Sequence, residues 1–128
     1  MGSFANAISA GMKAMRNVAG ESVTYTVLAT AEEISLAAIH QAKKYEAMHQ
    51  SGAVETIRMD DWLILEADLV TESDELIEPA IGDQIERTLG GFVETFTVSQ
   101  LPGLNCHEPS GDGRFRVHTK LTSKEAAA

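Results

Sequence analysis

The stretch GDGRFRVHTK, residues 111–120, constrains the fold more than any other part of the chain. Arg114, Arg116, His118 and Lys120 fall at every second position, and Phe115, Val117, Thr119 and Leu121 fill the gaps. Alternate side chains of a strand point to opposite faces, so this pattern predicts a last strand over residues 114–121 with one basic face and one mostly apolar face. A helix would scatter both sets around its axis. A half-buried strand needs partners, and the sequence offers them. Residues 84–88 and 92–98 flank Gly90-Gly91, a strong hairpin signal. Residues 22–30, rich in Val, Thr and Tyr, read as another strand. Residues 54–59 and 62–65 are strand material on either side of Asp60-Asp61.

The remaining segments are less regular. Residues 3–19 read as a helix, with Ser3 as N-cap and Gly20 at the C′ position. Phe4, Ile8, Met12 and Met15 form its apolar stripe, which packs either on the chain's own core or on another subunit. Lys13 and Arg16 sit near its C-terminal end, where the helix dipole favours cations. Residues 31–49 are ambiguous: their Ala, Glu, Leu, Gln and Lys content favours a helix, while Ile34, Leu36 and Ala38 alternate like a strand. Residues 71–80 are acidic, end near Pro79 and read as a surface loop. Residues 99–113 hold Pro102, Pro109 and three glycines and read as a long loop before the last strand. The SKEAAA end reads as a frayed tail.

With 128 residues, no repeats and no break in composition, the chain is expected to form one domain: a helix over 1–20, a β-rich body over 21–121 and a flexible tail over 122–128. Folding at this size buries roughly two-thirds of the unfolded surface, so no metal or disulfide staple is needed. The lone Cys106 has no partner for an internal disulfide, which suits a reducing compartment. No apolar run approaches the roughly 20 residues of a membrane span, and the N-terminus lacks the pattern of a signal peptide. The expectation is a protein made in the cytoplasm.

The net charge is -9, unevenly spread. From Glu55 to Glu94, twelve acids face only Arg58 and Arg87, a local charge of -10. Residues 1–20 carry +2, and four cations against two acids give +2 from Gly111 onward. Such a chain does not wrap nucleic acid by neutralising phosphates. Its basic ends and acidic middle instead suit contact between copies of itself.

Catalytic patterns are weak. Cys106-His107 has the residue types of a nucleophile and base, but neighbours in an extended segment point apart, and no zinc-type spacing accompanies them. The pairs Asp60-Asp61, Glu32-Glu33 and Asp74-Glu75 are what an acidic chain produces by chance. The four histidines show no ligand spacing, and no phosphate-binding glycine motif occurs. Trp62 reads as a core or interface anchor. The residues therefore point to no enzyme activity, no metal and no cofactor.

Three stretches in order, DDWLILEADL (60–69), PAIGDQIERTLGGFVETFTV (79–98) and RFRVHTK (114–120), resemble small phage and prophage proteins of the head–tail joining, or connector, family. The likeness covers roughly residues 20–121. It implies a β-rich body after an N-terminal helix, forming a small barrel or sandwich, and so strands over 34–40 and 44–49 where propensity favours helix. It also implies a virion structural protein: a homo-oligomeric ring, hexamer or dodecamer, that connects the portal of the filled head to the tail. Portal or adaptor and tail proteins would be its partners, and DNA would pass through without sequence-specific binding. In such a ring Phe4, Ile8, Met12, Met15, Arg114, Arg116 and Lys120 are the expected interface residues. A tail terminator, a capsid accessory protein and a non-viral small binding domain are the alternatives.

Overall fold

The computed structural model describes residues 20–48, 51–100 and 103–127. The expected helix over residues 3–19, with its Phe4, Ile8, Met12 and Met15 stripe, lies outside them. The described chain is mainly β, with seven strands: β1 (Glu21–Thr26), β2 (Glu33–Met48), β3 (Val54–Leu65), β4 (Gln84–Leu89), β5 (Phe92–Val98), β6 (His107–Pro109) and β7 (Arg114–Ala126). A single 3-10 turn, Glu66–Asp68, follows β3.

All pairings are antiparallel, in the order β3-β2-β1-β4-β5-β7-β6. β3 also pairs with β7, from Asp60↔Thr119 to Leu65↔Arg114. The path of hydrogen-bonded strands from β3 through β2, β1, β4, β5 and β7 thus returns to β3. β7 can hold three neighbours because they use different lengths of it: β3 takes one edge up to Thr119, while β6 and then β5 take the other.

The core lines one face of this sheet. Val23, Tyr25, Leu36, Ala38, Trp62, Ile64, Ile85, Phe96, Val98, Phe115 and Val117 are buried together at alternate positions of their strands. Trp62 and Phe96 meet edge to face with centroids 5.2 Å apart. That geometry is favourable for two quadrupolar rings.

Four expectations need correction. First, residues 33–48 form one unbroken strand, neither the helix of propensity nor two short strands. Ile34, Leu36 and Ala38 face the core, and from Ala38 onward every residue of β2 has a partner in β3. This tertiary pairing outweighs a local helix preference of only a few tenths of a kcal/mol per residue (about 0–0.7). Second, Asp60-Asp61 do not interrupt β3, because each carboxylate finds its own hydrogen-bond donors. Third, the 99–113 loop contains β6, and its Cys106 carbonyl accepts from His118 N at 2.8 Å. Fourth, residues 122–126 are strand, not a frayed tail: Ser123 to Ala126 pair with Thr95 to Phe92. A register shift near Thr95/Phe96 sets Thr122 apart, and its hydroxyl donates to Thr95 O at 3.2 Å and lies 2.8 Å from Thr97 Oγ1. Such a bulge adds one residue to a strand and resets its alternation.

The predicted hairpin forms as expected. Gly90 and Gly91 both take positive φ, 59° and 82°, as a tight two-residue turn between twisted strands requires. The first strand is shorter than expected, because residues 27–32 turn back through Val27 N to Glu32 O and Ala31 N to Val27 O.

The connections sort the charge. Residues 27–32, 66–83 and 99–113 all leave the same ends of the strands, whereas 49–53 and Gly90-Gly91 join the opposite ends. The first three segments carry ten acids, with no lysine or arginine. Nineteen acids less these ten leave nine against ten Lys and Arg, so the rest of the chain totals +1. Among the described residues, which hold nineteen acids and eight Lys and Arg, one end therefore carries -10 of a net -11.

Candidate functional site: the basic strand and its surroundings

β7 presents its alternation in a modified form. Phe115 and Val117 turn into the core, as predicted, and Thr119 is buried with them while its hydroxyl donates to Asp60 O. Leu121 opposes Phe96 and so belongs to the core-facing set, yet it is 44% exposed. The reason is geometric: the pairing of β3 with β7 ends at Thr119, and no described strand pairs with that edge beyond it.

The opposite face is not a solvated row of cations. His118 is buried, and its Nδ1 donates to Asp61 Oδ1 at 2.9 Å. Arg116 donates from one terminal nitrogen to Asp61 Oδ2 at 3.2 Å and to Gln41 Oε1 at 3.0 Å. The Tyr45 hydroxyl also donates to Asp61, and the Tyr45 and His118 rings meet edge-on at 5.4 Å. Register explains the convergence. Gln41 lies opposite Asp61 across β2–β3, and His118 lies opposite Asp61 across β3–β7. Burial opposes ionisation of Asp61, but the hydrogen bonds from His118, Tyr45 and Arg116, with the attraction of His118, outweigh it and hold the carboxyl below its usual value. Burial first, then the bond to Asp61, push the Tyr45 phenol up and keep it neutral.

Of the expected interface cations, Arg116 is thus engaged within its own chain. Arg114 pairs with Asp112 at 2.7 Å, where the Ser110 hydroxyl and then Arg114 hold the Asp112 carboxyl low. Lys120 is exposed and makes no ion pair with a described residue.

A second polar group lies on the core-facing side and was not anticipated. Arg87 donates to Glu94 at 2.7 Å and to Glu21 at 3.2 Å, and its guanidinium stands 5.5 Å from the Trp62 ring centroid and 5.3 Å from that of Phe96. His40 donates to Asp60 Oδ1 at 2.9 Å and rests its ring 4.8 Å from Trp62. Trp62 is a core residue, as expected, but its buried Nε1 finds no partner among the described residues, and nothing in the structure explains this. A third carboxylate, Asp83, accepts from the buried Tyr25 hydroxyl, from Leu28 N at 2.9 Å and from Ala80 N at 3.0 Å, tying two connections of the acidic end to the core.

The arrangement sets limits on chemistry. Asp60 and Asp61 point to opposite faces of β3 and do not form a carboxylate pair. Cys106 and His107 do not point apart as expected: Sγ lies 3.6 Å from Nδ1. Burial, however, pushes the Cys106 thiol up, away from the thiolate that a nucleophile requires. Among the described residues, no group of three His, Cys, Asp or Glu side chains is placed to hold a metal ion. No described helix is long and apolar enough to cross a membrane.

The described residues form a mainly β protein whose buried polar side chains largely pair with one another and whose one end is strongly acidic. Comparison with known families places it. A family model described as phage head-tail joining protein matches residues 1–126, and the chain belongs to that family. No curated protein matches the sequence. Membership accounts for the resemblance carried by residues 60–69, 79–98 and 114–120, and places the protein among virion proteins that meet phage head and tail components.

Proposed function

We propose that the protein is a connector: a ring of identical subunits at the joint between the portal of the filled head and the tail. The family match over residues 1–126 carries this reading. Three features support it. The path of paired strands that returns to β3 suits a small closed barrel, a rigid block that leaves few sheet edges open to stray pairing. The two ends of the block differ in charge, so opposite faces of a ring would differ as well. A predominantly negative body would not hold a passing phosphate backbone, which suits a conduit for DNA. Portal or adaptor and tail proteins are the proposed neighbours, the virion the proposed location, and hexamer or dodecamer the proposed ring. No catalytic step is part of this role.

Lys120 and Arg114 remain the strand's candidates for contact with a neighbouring subunit, and Phe4, Ile8, Met12 and Met15 the candidates in the N-terminal segment. Electron microscopy of particles assembled without this protein tests the reading. Filled heads without tails are expected. Headless tails of abnormal length would instead identify a terminator.

A further inference from the structure

The acidic end carries exposed apolar side chains as well as charge. Leu76 is 69% exposed, Leu28 66% and Ile81 56%. Leu28 lies against Gly82, the residue after Ile81, where its Cδ2 would stand 2.5 Å from an added Cβ. Nearby, Glu66, Leu76, Ile77, Glu78 and Phe115 line a groove. Its apolar members are flanked by two carboxylates, with Glu72 and Glu75 on the same connection. Apolar surface with a rim of one charge sign marks a docking site for a partner of opposite sign.

The sequence holds one segment that matches in both respects. Residues 3–19 carry the Phe4, Ile8, Met12 and Met15 stripe and no acid, and their only charges are Lys13 and Arg16. As a helix the segment would be about 26 Å long at 1.5 Å per residue. We propose that the groove receives residues 3–19 of a second copy of this chain, with the stripe on Leu76 and Ile77 and with Lys13 and Arg16 against Glu75 and Glu78. A second copy is the occupant because the connector reading requires a contact between neighbouring subunits, and the charge of residues 3–19 complements that of the groove. The contact joins unlike surfaces of two copies. It is therefore heterologous and propagates around a ring. The inference rests on the connector reading for its biological setting, but not for its test.

Gly20 lies beside Leu63, Leu65 and Arg114, near enough to the groove that docking within one chain must be tested as well. Two full-length variants separate the cases: Lys13→Glu/Arg16→Glu, and Glu75→Lys/Glu78→Lys. Sedimentation velocity reads the association state, and circular dichroism checks that each variant is folded. Wild-type protein is expected to associate. Each variant alone is expected to associate at least tenfold more weakly, because like charges then meet in every contact. An equimolar mixture is expected to recover association, since each variant's segment finds an oppositely charged groove on the other. Variants that associate like the wild type would overturn the proposal, as would a wild-type chain that stays monomeric. A mixture that stays dissociated, with recovery only when all four substitutions share one chain, would overturn the second-copy assignment in favour of docking within the chain. Tailless heads in the microscopy together with unimpaired association of the variants would refute this contact and leave the connector reading standing.

Discussion

At Asp61 three donors converge on one buried carboxylate: His118, Tyr45 and Arg116. The alternation of residues 114–121 placed Arg116 and His118 on the non-core face, and they are there. It gave no sign that a carboxylate from β3 would meet them, because the distance from residue 61 to residue 118 closes only when β3 and β7 pair. The hint lay in the strand itself, where the Asp60-Asp61 pair stands next to the apolar run of residues 62–65. Two predictions follow from this geometry. The Asp61 carboxyl is lowered in the folded state, so the unfolded chain binds the proton more readily at low pH. Its stabilising effect is then full above the ordinary value of 3.8 and disappears as pH falls through the lower folded-state value. Asp61→Asn should lose that slope, so the gap in melting temperature between wild type and variant should shrink as pH falls from about 6 to about 2. A constant gap would assign the acid sensitivity elsewhere. Arg116→Glu places a second carboxylate beside Asp61 and should lower stability by about 2–3 kcal/mol, somewhat below the 3–5 kcal/mol of a fully buried broken pair because Arg116 keeps some exposure. Chemical denaturation of the monomer measures it. An unchanged midpoint would mean that Arg116 contributes only at the surface.

Among the elements, the hairpin on Gly90-Gly91 was the most legible, because two glycines at a two-residue turn impose geometry locally. β2 was the least legible. Its residues lean towards a helix, and only pairing with β1 at one end and β3 along the rest makes them extended. β7 shows a different limit: residues 122–126 read as a tail because Lys, Glu and Ala are poor strand formers, yet β5 holds four of them in register beyond the bulge. Deleting residues 122–126 should therefore uncover β5 and lower the melting temperature by several degrees, about 4 °C for each kcal/mol lost in a domain of roughly this size. An unaltered transition would restore the tail interpretation. The turn into β4 gives a second test. Gly82 has φ +94° and packs under Leu28. Gly82→Ala should cost about 1–2 kcal/mol from the left-handed backbone alone, even if Leu28 shifts to make room.

On the scale of the molecule, the barrel-or-sandwich expectation came from resemblance, and the structure supplies the mainly β fold and the pairing of β3 with β7. The uneven charge was legible as a run of acids from Glu55 to Glu94. Its true distribution was not, because only the topology shows that three separate connections share one end. Trp62 stands at the centre of the polar group on the core-facing side, with His40 and Arg87 against its ring. Trp62→Ala should cost about 3–5 kcal/mol and shift the whole unfolding transition, still single and cooperative, to a lower midpoint if the sheet folds as one unit. A variant that keeps a sharp transition with a small loss would show that β3 is not central to the core.

The double engagement of β7 has a consequence for biosynthesis. A ribosome delivers β3 and β5 well before β7, the strand that must lie between them, so the nascent chain exists for a time with both of those edges open. Edges of that kind recruit other extended chains. A cell translating many copies at once would hold many such unfinished sheets close together, and slow translation through residues 99–113 would lengthen their exposure. The yield of soluble protein should therefore depend on how quickly β7 follows, and on whether a chaperone occupies the gap until it arrives.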